Sequence, residues 1–383
     1  MKNLHVCLYL LVLVVCACNK IGANGESIDS SAVPGQSEDA KGAAQATLLF
    51  VGDAMQHQDQ LDRARQLGGG QYDYSDCFTL IAPTIKAADY AIVNLEVPLG
   101  GGKGGYTGFP CFSAPDAFAV ALKDAGFDLF LTANNHTLDR SDYGLKRTIQ
   151  VLDSLEVDHT GTFFNSEERS ELVPLIKDIK GIKIAFLNYT YGTYGLVAKD
   201  GTVVALLDKE QMAAEIQSAR DKGAELIAVM PHWGVEYVLT ENAQQRDMAQ
   251  FLIDQGVDMI IGGHPHVIQP MKVIHSDTYD KDVLVVYSLG NFISNMKTND
   301  TRGGALVTVN VERTDDGIAH FKNATYDTFY AAKPDGTVGS NYKVIPSWEA
   351  NLIPSAQKGW WNAFNNSARH IFDSHNINVP SAH

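Results

Sequence analysis

Two short blocks carry imidazoles at positions where chemistry is expected: Pro231-His232-Trp233-Gly234 and Gly262-Gly263-His264-Pro265-His266. Each directly follows an apolar run, Leu226–Met230 and Met259–Ile261. Such short apolar runs predict buried strands. Ligands of open α/β sheets collect at the C-terminal ends of strands, and imidazole nitrogen is a common ligand for divalent metals. The glycines allow close backbone approach, and the proline between His264 and His266 restricts their freedom. The same design recurs three times upstream. Asp53 follows Thr47–Val51, Glu96 follows Tyr90–Leu95, and Asn135-His136 follows Asp128–Ala133. Two carboxylates, an amide oxygen and several imidazoles suit Mn, Fe or Zn, as one ion or two. Two ions about 3.5–4 Å apart could hold an attacking water and a leaving oxygen together.

Each residue also has an ordinary explanation. Asp53 after Gly52 could belong to a turn or cap the next element. Glu96 could be a solvated charge, Asn135 could sit in a left-handed turn, and His136 could be structural. His232 could pack on Trp233. Glu236, on the same loop as His232, is a candidate general base or substrate contact and equally a surface charge. His57, four residues past Asp53, is a weaker metal candidate. The joint placement of these residues at strand ends is what singles them out.

The elements that must position them alternate from Thr47 onward. Apolar spacing predicts helices over Tyr74–Ala88, Ala117–Ala125, Tyr143–Leu155, Lys209–Lys222 and Ala243–Gln255. Strands are predicted at Tyr90–Leu95, Asp128–Ala133, Ile182–Tyr189, Leu226–Met230 and Asp258–Ile261. After Pro270 the runs Met271–His275, Val283–Ser288, Ala305–Val311 and Ala319–Tyr326 follow one another without a long helix, which indicates antiparallel pairing. The expectation is a layered α/β sandwich that starts as a mixed sheet and finishes with hairpins. Gly100–Gly108 is a glycine-dense loop, and it and Tyr189–Tyr194 are expected to shape specificity. Trp360-Trp361 and Ile371-Phe372 predict a closing helix within a 331–383 extension that packs on the body.

The chain has 383 residues, 45% of them hydrophobic, and a formal net charge of -15, which argues against nucleic-acid binding. Its start reads as a targeting segment: Met1-Lys2-Asn3, then the apolar stretch Leu4–Val15, then Val15-Cys16-Ala17-Cys18. The last four residues resemble a bacterial lipobox. That makes residues 1–18 a lipoprotein signal, with Cys18 lipidated; an ordinary secretory signal is the alternative. Residues 19–46 form an expected flexible linker, rich in Gly, Ser and Ala over Ile21–Gln45. The expected location is the cell envelope, tethered to a bacterial membrane by acyl chains with the domain outside the cytoplasm. Cys77 and Cys111 could form a disulfide there, or be two unpaired, buried thiols.

Several blocks together resemble the CapA family, named for bacterial poly-γ-glutamate capsule synthesis and part of the metallophosphoesterase-like superfamily. They are Gly52-Asp53, Asn94-Leu95-Glu96, Ala133-Asn134-Asn135-His136 with Asp139 and Gly144, His232-Trp233-Gly234 with Glu236-Tyr237, Gly263-His264-Pro265-His266, and Tyr287-Ser288-Leu289-Gly290-Asn291-Phe292. They cover roughly Leu48 to Val311. The resemblance implies an α/β fold, a metallophosphatase-like four-layer α/β/β/α sandwich with mixed sheets, over residues 47–330. It implies Asp53, Glu96, Asn135, His232, His264 and His266 as metal ligands and His136 as an outer histidine that stabilises charge or protonates a leaving group. With Glu236, His136 makes up the expected catalytic pair, and Asn291, Trp233 and Tyr237 are expected to contact substrate. The implied function is capsule or extracellular polymer biosynthesis, by a metal-dependent hydrolase or transferase. Its partners would be an anionic polymer or envelope peptide or glycan, and capsule-synthesis proteins. The alternatives are a non-catalytic export or assembly factor and a plain phosphoesterase for small exported phosphates. Metallophosphoesterases carry Asp-x-His in their first block, whereas here Asp53 is followed by Ala54, Met55, Gln56 and only then His57. The first metal position is therefore expected to be depleted.

Overall fold

The computed structural model describes residues 42–336 and 340–383. Cys18, the signal and most of the linker lie outside the described residues. Among the described residues no helix is long and apolar enough to cross a membrane.

The chain opens with strand β1 (Ala44–Ala54), helices α1 (Gln58–Leu67) and α2 (Ala82–Ala87), strand β2 (Tyr90–Leu95), α3 (Asp116–Ala125), β3 (Leu129–Leu131), α4 (Ser141–Ser154) and β4 (Asp158–Thr160). It continues through β5 (Thr162–Phe163), α5 (Ser166–Leu172), β6 (Leu175–Ile179), β7 (Ile182–Thr190), β8 (Val203–Val204), α6 (Lys209–Asp221), β9 (Leu226–His232), α7 (Ala243–Asp254) and β10 (Met259–Ile261). The last third holds β11 (Met271–Ser276), β12 (Lys281–Val286), β13 (Asn291–Ile293), β14 (Gly303–Arg313), β15 (Ala319–Ala332), β16 (Lys343–Pro346) and α8 (Lys358–His375).

Two mixed sheets stack face to face. The first runs β16-β15-β14-β1-β2-β3-β4, with β13 pairing β1. The second runs β11-β12-β10-β9-β7-β6. Alternate residues of a strand face opposite sides, so each sheet feeds two cores. Leu48, Phe50, Ile92 and Leu129 of the first sheet meet Ile184, Phe186, Met230, Met259 and Leu284 of the second in the central core. The opposite face of the first sheet, with Leu49, Val51 and Val93, packs on Ala64, Ile85, Phe118 and Leu122 of the flanking helices. The opposite face of the second, with Ile227, Val229 and Ile260, packs on Met212, Ile216, Ala249 and Leu252 of α6 and α7. The result is a four-layer α/β/β/α sandwich with mixed sheets, as the resemblance implied.

Chain beyond residue 330 completes this body. β16 pairs with β15, and Trp361, Phe364 and Ile371 of α8 join the central core. The predicted helix over Tyr74–Ala88 shrinks to α2, because Tyr74, Phe78 and Ile81 bury their side chains from turns. Cys77 and Cys111 are both free thiols; Cys77 is buried, but Cys111 is exposed.

Candidate metal centre

The C-terminal ends of the parallel strands in both sheets converge. Asp53 ends β1, Asn94 and Glu96 bracket the end of β2, and Asn134, Asn135 and His136 follow β3. From the second sheet, His232 closes β9, and His264 and His266 follow β10. The first sheet thus supplies carboxylates and amides and the second supplies imidazoles. Glycines permit the approach: a Cβ on Gly52 would lie 1.9 Å from the Gly290 carbonyl oxygen, and one on Gly263 would lie 2.9 Å from Asp53 Oδ1. His264 and His266 have φ of 98° and 59°. Non-glycine residues adopt this left-handed region rarely, and such strain clusters at functional sites.

Asn94, at the middle of the network, is named in the sequence only as part of the Asn94-Leu95-Glu96 block, with no role assigned to it. Its Nδ2 donates to Asp53 Oδ1 at 2.8 Å and to Glu96 Oε2 at 3.3 Å, and lies 3.4 Å from His232 Nδ1. The signal was available, since residues 94 and 96 share one face of a period-two strand. Asn134 in turn donates to Asn94 Oδ1 at 3.3 Å and to the Leu95 carbonyl at 2.9 Å. Asn188 ties the sheets together by accepting from the Ala133 N–H and donating to the Met230 carbonyl, each at 2.8 Å.

His266 is locked in one tautomer. Asn291 Nδ2 donates to the Thr301 carbonyl at 3.0 Å, which turns Oδ1 toward His266 Nδ1, also at 3.0 Å. Asp53 Oδ2 lies 3.1 Å from the same nitrogen. Two acceptors require the proton on Nδ1, so Nε2 keeps a free lone pair, and it faces Glu96 Oε1 at 3.6 Å. A carboxylate behind an imidazole is the usual support of a ligating histidine. Asn291 is fully buried and engaged at both ends. It positions His266 and is not free to contact substrate, correcting that expectation.

Burial alone would raise the Asp53 pKa. The hydrogen bond from His266 and the electrostatic pull of its polarised N–H, helped by His232 and Asn94, outweigh it and hold the carboxyl well below its usual range. Glu96 moves the other way, well above its usual range, through burial and then the Asp53 charge. Burial, then the neighbouring His264, pushes His232 well below its usual value. Burial, then His266, brings His264 down to about 4.

Three groups present one donor atom per residue within 4.8 Å of each other: Glu96, His232 and His264; Asp53, Glu96 and His266; and Glu236, His264 and His266. Glu96 Oε1 and His264 Nδ1 are buried without a hydrogen-bond partner, as is Asn135 Nδ2. Asn135 Oδ1 lies 2.7 Å from His232 Nε2. Buried polar atoms without partners are costly, and a mixed oxygen and imidazole donor set suits a borderline divalent ion. The residues present therefore fit such an ion.

His136 stands outside these groups. Its Nδ1 meets Asp139 Oδ2 at 2.8 Å, and that oxygen also accepts from the Phe112 N–H at 2.7 Å. The rings of Phe112 and Tyr194 flank it at 4.6 and 5.1 Å. His57 is also outside the groups. Its Nδ1 accepts from the Asn295 N–H at 3.2 Å, and burial brings its pKa down to about 4. Glu236 accepts from the Tyr194 hydroxyl at 2.6 Å. Tyr237 is 53% exposed beside His266. Trp233 is buried and does not serve a substrate. In extended backbone its side chain points opposite to that of His232, into the α6/α7 core, where its Nε1 donates to the Tyr287 carbonyl at 2.9 Å.

A family described as "Bacterial capsule synthesis protein PGA_cap" matches residues 47–296. The chain belongs to this family. The PGA_cap match spans β1 to β13 and all six expected ligands, and it stops before β14. "Capsule biosynthesis protein CapA" of Bacillus anthracis is 30% identical over 270 residues, 68% of this chain and 62% of that relative. The chain thus spans less than two thirds of that protein's length. "PGA biosynthesis protein CapA" of Bacillus subtilis (strain 168) is 28% identical over 278 residues, 70% of this chain and 68% of that one. A solved calcineurin-like phosphoesterase, YfkN from Bacillus subtilis, aligns with a TM-score of 0.43 and 13% identity over 86% of this chain and 99% of that chain.

Proposed function

We propose that this PGA_cap chain is a metal-dependent hydrolase or transferase of an extracellular polymer in capsule biosynthesis, held at the cell envelope by lipid on Cys18. The observation that carries the metal reading is the meeting of unpartnered, buried donors from two sheets, Glu96 Oε1 and His264 Nδ1, beside the free face of His266. Glu96, His232, His264 and His266 would hold the ion, with Asp53 and Asn135 completing the set. Glu96 belongs to two of the three groups, as a carboxylate shared between two ions would. When bound, a divalent ion supplies Lewis acidity toward a carbonyl or phosphoryl oxygen and acidifies water. Asp53 orients His266 by accepting its Nδ1 proton. Asp139 does the same for His136, which leaves Nε2 to give or take a proton at the leaving group. Glu236 is the second proton-transfer candidate, positioned by Tyr194. The polymer would be an anionic chain or an envelope peptide or glycan, handled with other capsule-synthesis proteins.

The test is the double substitution His264→Ala/His266→Ala, followed by elemental analysis of the purified protein. Bound metal is expected to disappear, and an unchanged metal content refutes the assignment. One observation favours the second reading, a non-catalytic polymer export or assembly factor. The histidine of the first block, His57, is held structurally by Asn295 and joins none of the ligand groups. Turnover of an amide or phosphoester library, abolished by chelation and restored by one metal, would decide against it.

A further inference from the structure

We infer that Glu236 is a ligand of this centre, giving the ion on His266 a donor that the first block does not supply; the inference rests on the proposed centre, deepens it, and leaves proton transfer to His136. Met55 stands where the Asp-x-His pattern places a histidine, and it is buried in the core on the helix side of the first sheet. His57 is bonded to Asn295 and joins no ligand group. The ion on His266 is therefore a donor short on the β1 side. On the β9 side, one donor atom each of Glu236, His264 and His266 lies within 4.8 Å of the others. The backbone holds this meeting in place. The Tyr237 N–H donates to the Pro265 carbonyl at 2.9 Å, which straps the residue after Glu236 to the residue between the two histidines. Tyr237, His264 and His266 hold φ of 67°, 98° and 59°, strain of a kind that persists at ligand sites.

The free lone pairs point the same way. His266 carries its proton on Nδ1, toward Asp53 and Asn291, so only Nε2 can ligate and His266 can hold one ion. The carboxylates grouped with His266 are Asp53, Glu96 and Glu236. Asp53 already accepts from Asn94 Nδ2 at 2.8 Å, from His266 Nδ1 at 3.1 Å and from the His264 N–H at 3.3 Å. About one of its four lone-pair sites is left. Glu96 is shared with the group of His232 and His264. Glu236 takes the Tyr194 hydroxyl on Oε1 at 2.6 Å, which leaves lone-pair sites for a cation. A carboxylate that ligates a metal is itself held by a hydrogen bond, and Tyr194 supplies that bond while its ring packs on His136 at 5.1 Å. A solvated surface charge would turn away from two imidazoles, whereas this side chain is fixed beside them.

The metal-stripped full chain and its Glu236→Gln variant are titrated calorimetrically with Mn2+ and, in a separate series, with Zn2+. Glutamine keeps the size of the side chain and removes the anionic donor. The variant is expected to bind one ion about 100-fold more weakly or worse, beyond the usual loss for a residue that only supports a ligand. The deficit should persist between about 0.1 and 0.5 M salt, because a direct donor is not screened. A deficit that shrinks below about threefold at the higher salt would make Glu236 a distant attractive charge and overturn the inference. Crystals of wild type soaked in Mn2+ give a second reading. Anomalous density in contact with Glu236, His264 and His266 is expected, and density with Glu236 turned away from it overturns the inference. A wild type that takes up neither ion refutes the centre as a whole. A wild type that binds, with Glu236→Gln binding equally well, refutes the role of Glu236 alone.

Discussion

Replacing His57 with glutamine should flatten the acid limb of the stability profile. Burial brings the His57 pKa from 6.5 to about 4, and Nδ1 already accepts from the Asn295 N–H. Protonating that nitrogen would set two donors against each other. The unfolded chain takes up this proton as pH falls below about 6.5, and the folded chain does so only near 4. The neutral, buried imidazole therefore carries its full stabilisation above about pH 6.5 and loses it as pH falls toward 4. At pH 4.5 the unfolded state is favoured by a factor of about 100 and the folded state by about 1.3, a difference worth about 2.6 kcal/mol. Urea unfolding of metal-free wild type and His57→Gln, at pH 7.5 and 4.5, measures it. Wild type should lose about 2–3 kcal/mol more than the variant between those pH values. His264 titrates in the same window but is common to both proteins and cancels. Equal losses would refute the account of His57 as a buried, neutral acceptor.

Asn291→Leu removes one of the two acceptors that hold the His266 proton on Nδ1. Metal affinity should fall about 10- to 100-fold, read by chelator competition, and an unchanged affinity would show that Asp53 alone sets the tautomer. Gly52→Ala places a Cβ 1.9 Å from the Gly290 carbonyl oxygen, a backbone atom that has no side-chain freedom with which to retreat. It should cost about 3 kcal/mol or more of stability, and an unshifted urea midpoint would show that the two segments can part.

Most strands were legible because buried strands are continuous apolar runs. β2 matches the predicted Tyr90–Leu95, and β9 extends the predicted Leu226–Met230 only through His232. The helix expected over Tyr74–Ala88 failed in its first half because turns can present apolar residues at helical spacing. Phe78 stacks on Phe292 from such a turn. α1 escaped notice for the opposite reason: its ten residues bury only Gln60, Leu61 and Ala64, so no apolar stripe announces it. Within the centre, histidines and acids at strand ends stand out in a sequence. Asn94 and Asn134 enter only as members of the family blocks and Asn188 does not enter at all, because asparagine near a strand end is also the commonest sign of a turn. Trp233 misled by adjacency, since neighbours in extended backbone face opposite layers.

The division of donors between the sheets explains why the carboxylates move apart in pKa. Asp53 and Glu96 are both fully buried, and Asn94 donates to both. Two buried carboxylates cannot both ionise cheaply without a cation between or beside them. Without one, the imidazoles of the second sheet partner Asp53, through the His266 side chain and the His264 backbone N–H. Glu96 is left with His232 and His266 nitrogens at 3.5 and 3.6 Å and an oxygen that no group satisfies. Its raised pKa follows from burial and the Asp53 charge, and Glu96, like His264 and His266, belongs to two of the three groups of possible ligands. The polar bonds across the seam, from Asn188, Asn135 and Asp53, hold the sheets at a spacing that already suits a cation.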